Sequence, residues 1–141
     1  MLKFFRFWTG VLHVLIGVQF FLAGYGALGT GDTAESFSLH IMGGRLIAAV
    51  ALLGIVFAAL ARAGGRLVGL SAGVFGLVLL QSVIAVVSVG GTTVGQVIFG
   101  LHAINALMIM GVAEAAGKEA KRVLRSRKET EEKAVPAAAA A

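Results

Sequence analysis

The stretch "VQFFLAGYGALGTGDTAESFSLHIMGGRLI", residues 18–47, decides how this chain is read. Two apolar runs flank a joint of glycine and polar residues, and the joint carries Asp32 and Glu35 but no base. Gln19 lies in the first run, and His40 stands at the mouth of the second. Each run, followed outward, is long enough to cross the roughly 30 Å hydrocarbon core as a helix rising about 1.5 Å per residue. The stretch therefore reads as the turn and facing halves of a membrane helical hairpin.

The same unit occurs twice. Sliding the first half by 62 positions sets residues 18–47 on "LQSVIAVVSVGGTTVGQVIFGLHAINALMI", residues 80–109. In that register Leu15 falls on Leu77, Gln19 on Gln81, Ala23 on Ala85, Gly29 on Gly91, Thr30 on Thr92, Leu39 on Leu101 and His40 on His102. Apolar spans match one another easily, but a glutamine and a histidine recurring at one interval do not. Two hairpins make four spans, about 7–28, 39–61, 67–89 and 94–115, joined by "GTGDTAES", "RAGGR" and "GGTTVG". An even number of spans separates equivalent helices, so the repeats are parallel and related by an axis along the membrane normal. The expected fold is all-α: an integral membrane four-helix bundle made of two parallel helical-hairpin repeats over residues 1–117. Residues 118–141 are expected to form a basic cytoplasmic helix and, after Pro136, a loose C-terminal tail.

Composition agrees. The 141 residues are 58% hydrophobic and 13% charged, with a mean hydropathy of +0.94, too apolar for a soluble domain of this length. The absence of cysteine excludes disulfides, thiolate nucleophiles, thioether haem attachment and iron–sulfur ligation. A net charge of +5 invites a nucleic-acid reading. However, the bases cluster at Lys118, Lys121, Arg122, Arg125, Arg127 and Lys128, just beyond the last span, and no nucleic-acid motif accompanies them. Such a cluster marks a cytoplasmic face and attracts anionic lipid head groups. With Lys3 and Arg6 at the start and Arg62 and Arg66 in the middle joint, every basic flank gives one topology: a multi-pass protein of the cell inner membrane with both termini cytoplasmic. "MLKFFRFW" resembles the start of a signal peptide, but its apolar run continues without a cleavage site, so it reads as a retained span.

The repeat carries the chemistry. A pseudo-twofold axis brings His40 and His102 to similar depth near the outer ends of the second and fourth spans, facing one another. Facing side chains on separate helices are how helix bundles build cofactor sites. Two imidazoles meeting across a gap are the ligand set of a six-coordinate haem iron. Gly43 and Gly44 follow His40 by three and four residues on its own face, and Asn105 and Ala106 hold the corresponding places after His102. Small residues there are expected to leave room for a porphyrin. Arg45 is a further candidate contact, as the partner of a haem propionate or of a polar group in the bundle. Gln19 and Gln81 are expected to face the interior, bonding across helices or touching the cofactor. His13 has Phe75 as its repeat counterpart, so it forms no second symmetric pair; a backbone carbonyl or Glu114 is its expected partner. Zinc or copper would find too few ligands.

The stretches "VQFFLAGYGALG", "SLHIMGGRLI", "LLQSVIAVV" and "GLHAINALMIMG" resemble an uncharacterised family of small four-span bacterial membrane proteins over residues 10 to 115. More loosely they resemble one half of haem A synthase, within the wider set of b-type cytochrome four-helix membrane bundles. That resemblance implies haem ligands at His40 and His102. The chain departs from the synthase pattern in two ways: its arginine is Arg45 rather than the neighbour of His40, and "SFSL" replaces the carboxylate before that histidine.

The resulting expectation is a haem b protein with His40 and His102 as metal ligands, taking part in electron transfer as a small subunit of a larger membrane redox complex or as a homodimer. The alternative is a non-catalytic accessory or scaffold subunit without cofactor. A transporter or channel has less support, lacking intramembrane acids and proline-broken helices. No nucleophile–base pair, phosphate loop or paired carboxylate points to an autonomous enzyme.

Overall fold

The structure, a computed structural model, describes residues 2–88 and 92–139, with side chains as far as Ala134. Val89, Gly90 and Gly91 lie outside the described residues, and with them the Gly29/Gly91 match and the last residue of the expected third span. The side chains from 135 on, where a loose tail is expected, also lie outside them.

All regular structure among the described residues is helical: α1 (Leu2–Ala27), α2 (Thr33–Ser36), α3 (Ser38–Leu60), α4 (Gly65–Ser88) and α5 (Thr93–Ala139). Four of these, all but the single turn of α2, are long and apolar enough to cross a membrane. In their most apolar stretches only 17–22% of residues are buried, and side chains such as Val14, Phe21, Val86 and Val97 are exposed. Such an exterior is suited to lipid, and the chain is a multi-pass membrane protein. At about 1.5 Å per residue, the 47 residues of α5 far exceed a bilayer core, so the helix continues beyond the membrane as one rod.

The four long helices form a square bundle. α1 and α4 each pack against both α3 and α5, which leaves α1 opposite α4 and α3 opposite α5. A half-turn about the bundle axis then exchanges the members of each diagonal pair, as two parallel repeats require. The buried positions follow the same register. On α1, Phe5, Thr9, Leu12 and Ile16 are buried, and 62 residues on so are Leu67, Ser71, Val74 and Val78 of α4. On α3, Ile47, Ala51, Gly54 and Ala58 are buried, and their counterparts on α5 are Ile109, Ala113, Ala116 and Ala120, also buried. Alternating steps of three and four keep each stripe on one helix face, the spacing of a left-handed seam. α1 and α4 contribute mostly bulk, while α3 and α5 contribute small residues that let backbones approach.

The end of the bundle that carries the termini is tied by specific contacts. Trp8 donates its indole N–H to the Val50 carbonyl at 2.8 Å, and its ring lies so close to Gly54 that a Cβ there would overlap it. α3 ends in a turn with Arg62 at φ 47 and Gly64 at φ 86. Arg127, far along α5, donates to the carbonyls of Ala61 and Arg62 at 3.1 and 2.7 Å, satisfying acceptors that a helix C-terminus leaves open. Glu119, 5% exposed, accepts from Arg122 at 2.9 and 2.6 Å and lies 3.6 Å from Arg66. Part of the basic cluster is therefore structural.

Gly54→Leu is expected to lower stability by about 1–3 kcal/mol through overpacking. Gly44→Leu, where a Cβ would meet nothing within 4 Å, is expected to be near neutral. Thermal unfolding in detergent compares the two. The hydrogen bonds from Arg122, aided by the charges of Arg122 and Arg66, hold the Glu119 carboxyl below its ordinary value. A depressed folded-state pKa gives stability that is present above the unfolded value and lost as pH falls through the folded one. The unfolding midpoint should thus drop on acidification below about pH 4.3, and Glu119→Gln should flatten that acid limb.

Candidate functional site

The site lies toward the other end of the bundle, where α1 hands over to α3. The joint between them holds one helical turn, α2, whose N-terminus is closed by Asp32: its carboxylate accepts from the Glu35 backbone N–H at 2.8 Å. An acid followed three residues later by Glu is the sequence signal for such a start. The chain then turns at Phe37 into α3, which puts His40 in the first turn of that helix. His102 lies in the third turn of α5. Although the two helices are diagonally opposed, the imidazole rings meet across the bundle, with centroids 6.0 Å apart and planes tilted by 44°.

Each histidine is tied to the glutamine of its own repeat, but in reversed roles. The Nδ1–H of His40 donates to the Gln19 backbone carbonyl at 3.1 Å, whereas Gln81 donates its side-chain amide to the His102 carbonyl at 2.8 Å. Asn105 Nδ2 donates to Gln81 Oε1 at 2.5 Å and to the Leu77 carbonyl at 2.9 Å. Its repeat equivalent is Gly43, and there the Gln19 carboxamide itself fills the space: a Cβ on Gly43 would overlap its nitrogen. The smallness of Gly43 therefore serves a neighbouring glutamine. Gly44 faces open space, and Arg45 is exposed on α3. On this helix Ile47 is buried and Gly43 lies against Gln19, so these two residues mark the face turned toward the bundle.

Two aromatic rings frame the histidines. Phe37 stands edge-on to His40, with centroids 6.1 Å apart at 88°, and Phe99 stacks on His102 at 5.2 Å and 14°. Both precede their histidine by three residues, and Phe99 is the repeat equivalent of Phe37. The signal F-x-L-H, written twice in the sequence, extends the repeat to the rings that orient the pair. Inside the frame, Gln19 Oε1, His102 Nδ1 and Asn105 Oδ1 are buried without a hydrogen-bond partner. Each such atom costs about 1–3 kcal/mol unless something satisfies it, so this is the polar centre best prepared to receive a group. Among the described residues no three His, Cys, Asp or Glu side chains converge on one point. His13 stands apart on α1, where its Nδ1–H donates to the Thr9 carbonyl at 2.7 Å.

Residues 19–89 match a protein family described as a family of unknown function, DUF6220. The match takes in Gln19, His40, Gly43 and Gln81 and stops before His102. No curated protein and no solved structure matches the chain.

Gly43→Ala should displace the Gln19 carboxamide and destabilise the bundle, and Gln19→Ala should relieve that effect. A double-mutant cycle by thermal unfolding is expected to give a coupling of about 0.5–3 kcal/mol. Additive losses would show that Gly43 is small for another reason.

Proposed function

Because the chain belongs to the DUF6220 family of unknown function, its chemistry rests on its own residues, and we propose that it is a b-type haem protein with bis-histidine ligation. In this reading it takes part in electron transfer within the membrane, as a small subunit of a redox complex or as a homodimer. The observation that carries the reading is the facing of His40 and His102, 6.0 Å apart between ring centroids on opposite helices. The Nδ1–H bond from His40 to the Gln19 carbonyl fixes the tautomer and leaves Nε2 with a free lone pair, the arrangement in which a metal-binding histidine is usually held. On His102, Nδ1 is buried without a partner, so coordination there would satisfy an otherwise costly atom. Phe37 and Phe99 pack against the two rings and favour their orientation. Bound between these histidines, haem supplies a one-electron couple. The basic flanks support cytoplasmic termini in a bacterial inner membrane, with the pair toward the opposite side and open to a redox partner there or in the lipid.

A second reading, a cofactor-free accessory subunit, is favoured by the Gln19 carboxamide against Gly43 and by the Gln81–Asn105 bond, which fill the bundle without any ligand. One measurement separates the two. Protein purified from haem-replete cells should show a Soret band that shifts on addition of dithionite, with iron near one per chain, and His40→Ala and His102→Ala should each abolish it. Colourless, iron-free wild-type protein sinks the haem proposal.

A further inference from the structure

At the end of the bundle that carries the termini, α1 and α5 line an open groove of about 600 Å³. Lys3, Arg6, Lys118 and Lys121 line it, against the single acid Glu114, which is already bonded to Lys118 at 2.8 Å. Among the described residues Lys3, Arg6 and Lys121 have no acidic partner. Gly117 lets α5 close on Thr9, since a Cβ there would stand 3.3 Å from the threonine hydroxyl. Past Arg6, Phe7 and Gly10 the groove runs into a second one of about 420 Å³, bounded by Val11, Val14 and Leu15 along α1. Phe7, Gly10 and Val14 are exposed, so this apolar groove opens on the lipid side, and a side chain added at Gly10 would meet nothing within 4 Å.

The repeat shows that packing does not require these bases. The buried core recurs position for position in the second half, but the counterparts of Lys3, Arg6, Lys118 and Lys121 are Gly65, Val68, Val56 and Ala59. This face of the bundle thus carries an excess of positive charge that its repeat equivalent lacks, with an apolar groove behind it. We propose that this groove holds one anionic phospholipid of the surrounding bilayer, its phosphate among the four bases and an acyl chain along Val11, Val14 and Leu15. A basic pocket between membrane helices is the environment such head groups seek. The apolar extension selects a lipid over a free phosphate, which would leave that half of the groove unused. The proposal is independent of haem.

The test is native mass spectrometry of the full chain released from detergent after titration with phosphatidylglycerol or phosphatidylcholine. One phosphatidylglycerol should remain bound while phosphatidylcholine is lost. Arg6→Gln/Lys121→Gln should weaken its retention about tenfold or more. Arg125→Gln/Lys128→Gln removes the same charge from the α5 extension outside the pocket and should change retention less than twofold. Gly10→Trp keeps every charge but fills the groove, and it too should release the lipid; circular dichroism confirms that each variant keeps its helices. If the double glutamine variant does not fold, the lipid comparison on wild type and Gly10→Trp decide alone. Equal retention of both lipids, equal losses from the two charge pairs, or full displacement of the lipid by inorganic phosphate would each overturn the proposal.

Discussion

Close backbone approach at small residues is the interaction on which the rest of this molecule depends. Lipid tails are as apolar as leucine, so the helices gain little from burying hydrophobic surface against one another; they gain van der Waals contact where side chains are small enough to permit it. Ala51, Gly54 and Ala58 on α3, and Ala113, Ala116 and Ala120 on α5, provide that contact. The larger residues of α1 and α4 fill the space between. This spacing draws the diagonal helices near enough for two imidazoles to meet at the centre. A bundle held apart by leucines on every stripe would leave His40 and His102 on separate walls.

The two halves share a register and differ where the chemistry is. Trp8 stands where the second half has Leu70, and the larger ring faces Gly54 where the second half has Ala116. Gln19 fills the space over Gly43, while Gln81 bonds to Asn105 at the same place. In the first case bulk moves from one partner to the other; in the second the glutamine is kept and the residue opposite it grows from glycine to asparagine. The polar centre is consequently asymmetric: His40 is held through its ring nitrogen, whereas in the other half the His102 backbone is held and its Nδ1 stays open.

Several parts of this arrangement are legible along the chain. The four spans follow from apolar length, and the parallel repeat follows from the Gln-to-His interval, a coincidence that apolar matching does not produce. Phe37 and Phe99 are as legible as the histidines, since F-x-L-H occurs in both halves, although an aromatic residue in an apolar run attracts no notice until its ring is seen against an imidazole. The role of Gly43 is not legible, because the side chain that requires it belongs to another helix. Nor is that of Arg127: a base in a basic cluster reads as solvated, and only the path of α5 brings it to the carbonyls that end α3.

By itself the sequence determined the number of spans, the pairing of the repeats and the identity of the facing histidines, because these depend on periodicity and length, which are properties of a chain. The tertiary structure alone decided which atoms are satisfied and which are left open. Hydrogen bonds between helices depend on axial offset and rotation, and a shift of one residue turns a side chain by about 100°. Gln19 and Gln81 are the same residue at the same repeat position, yet one fills a space and the other makes a bond. That difference arises only once the glycine or the asparagine opposite has been brought against it.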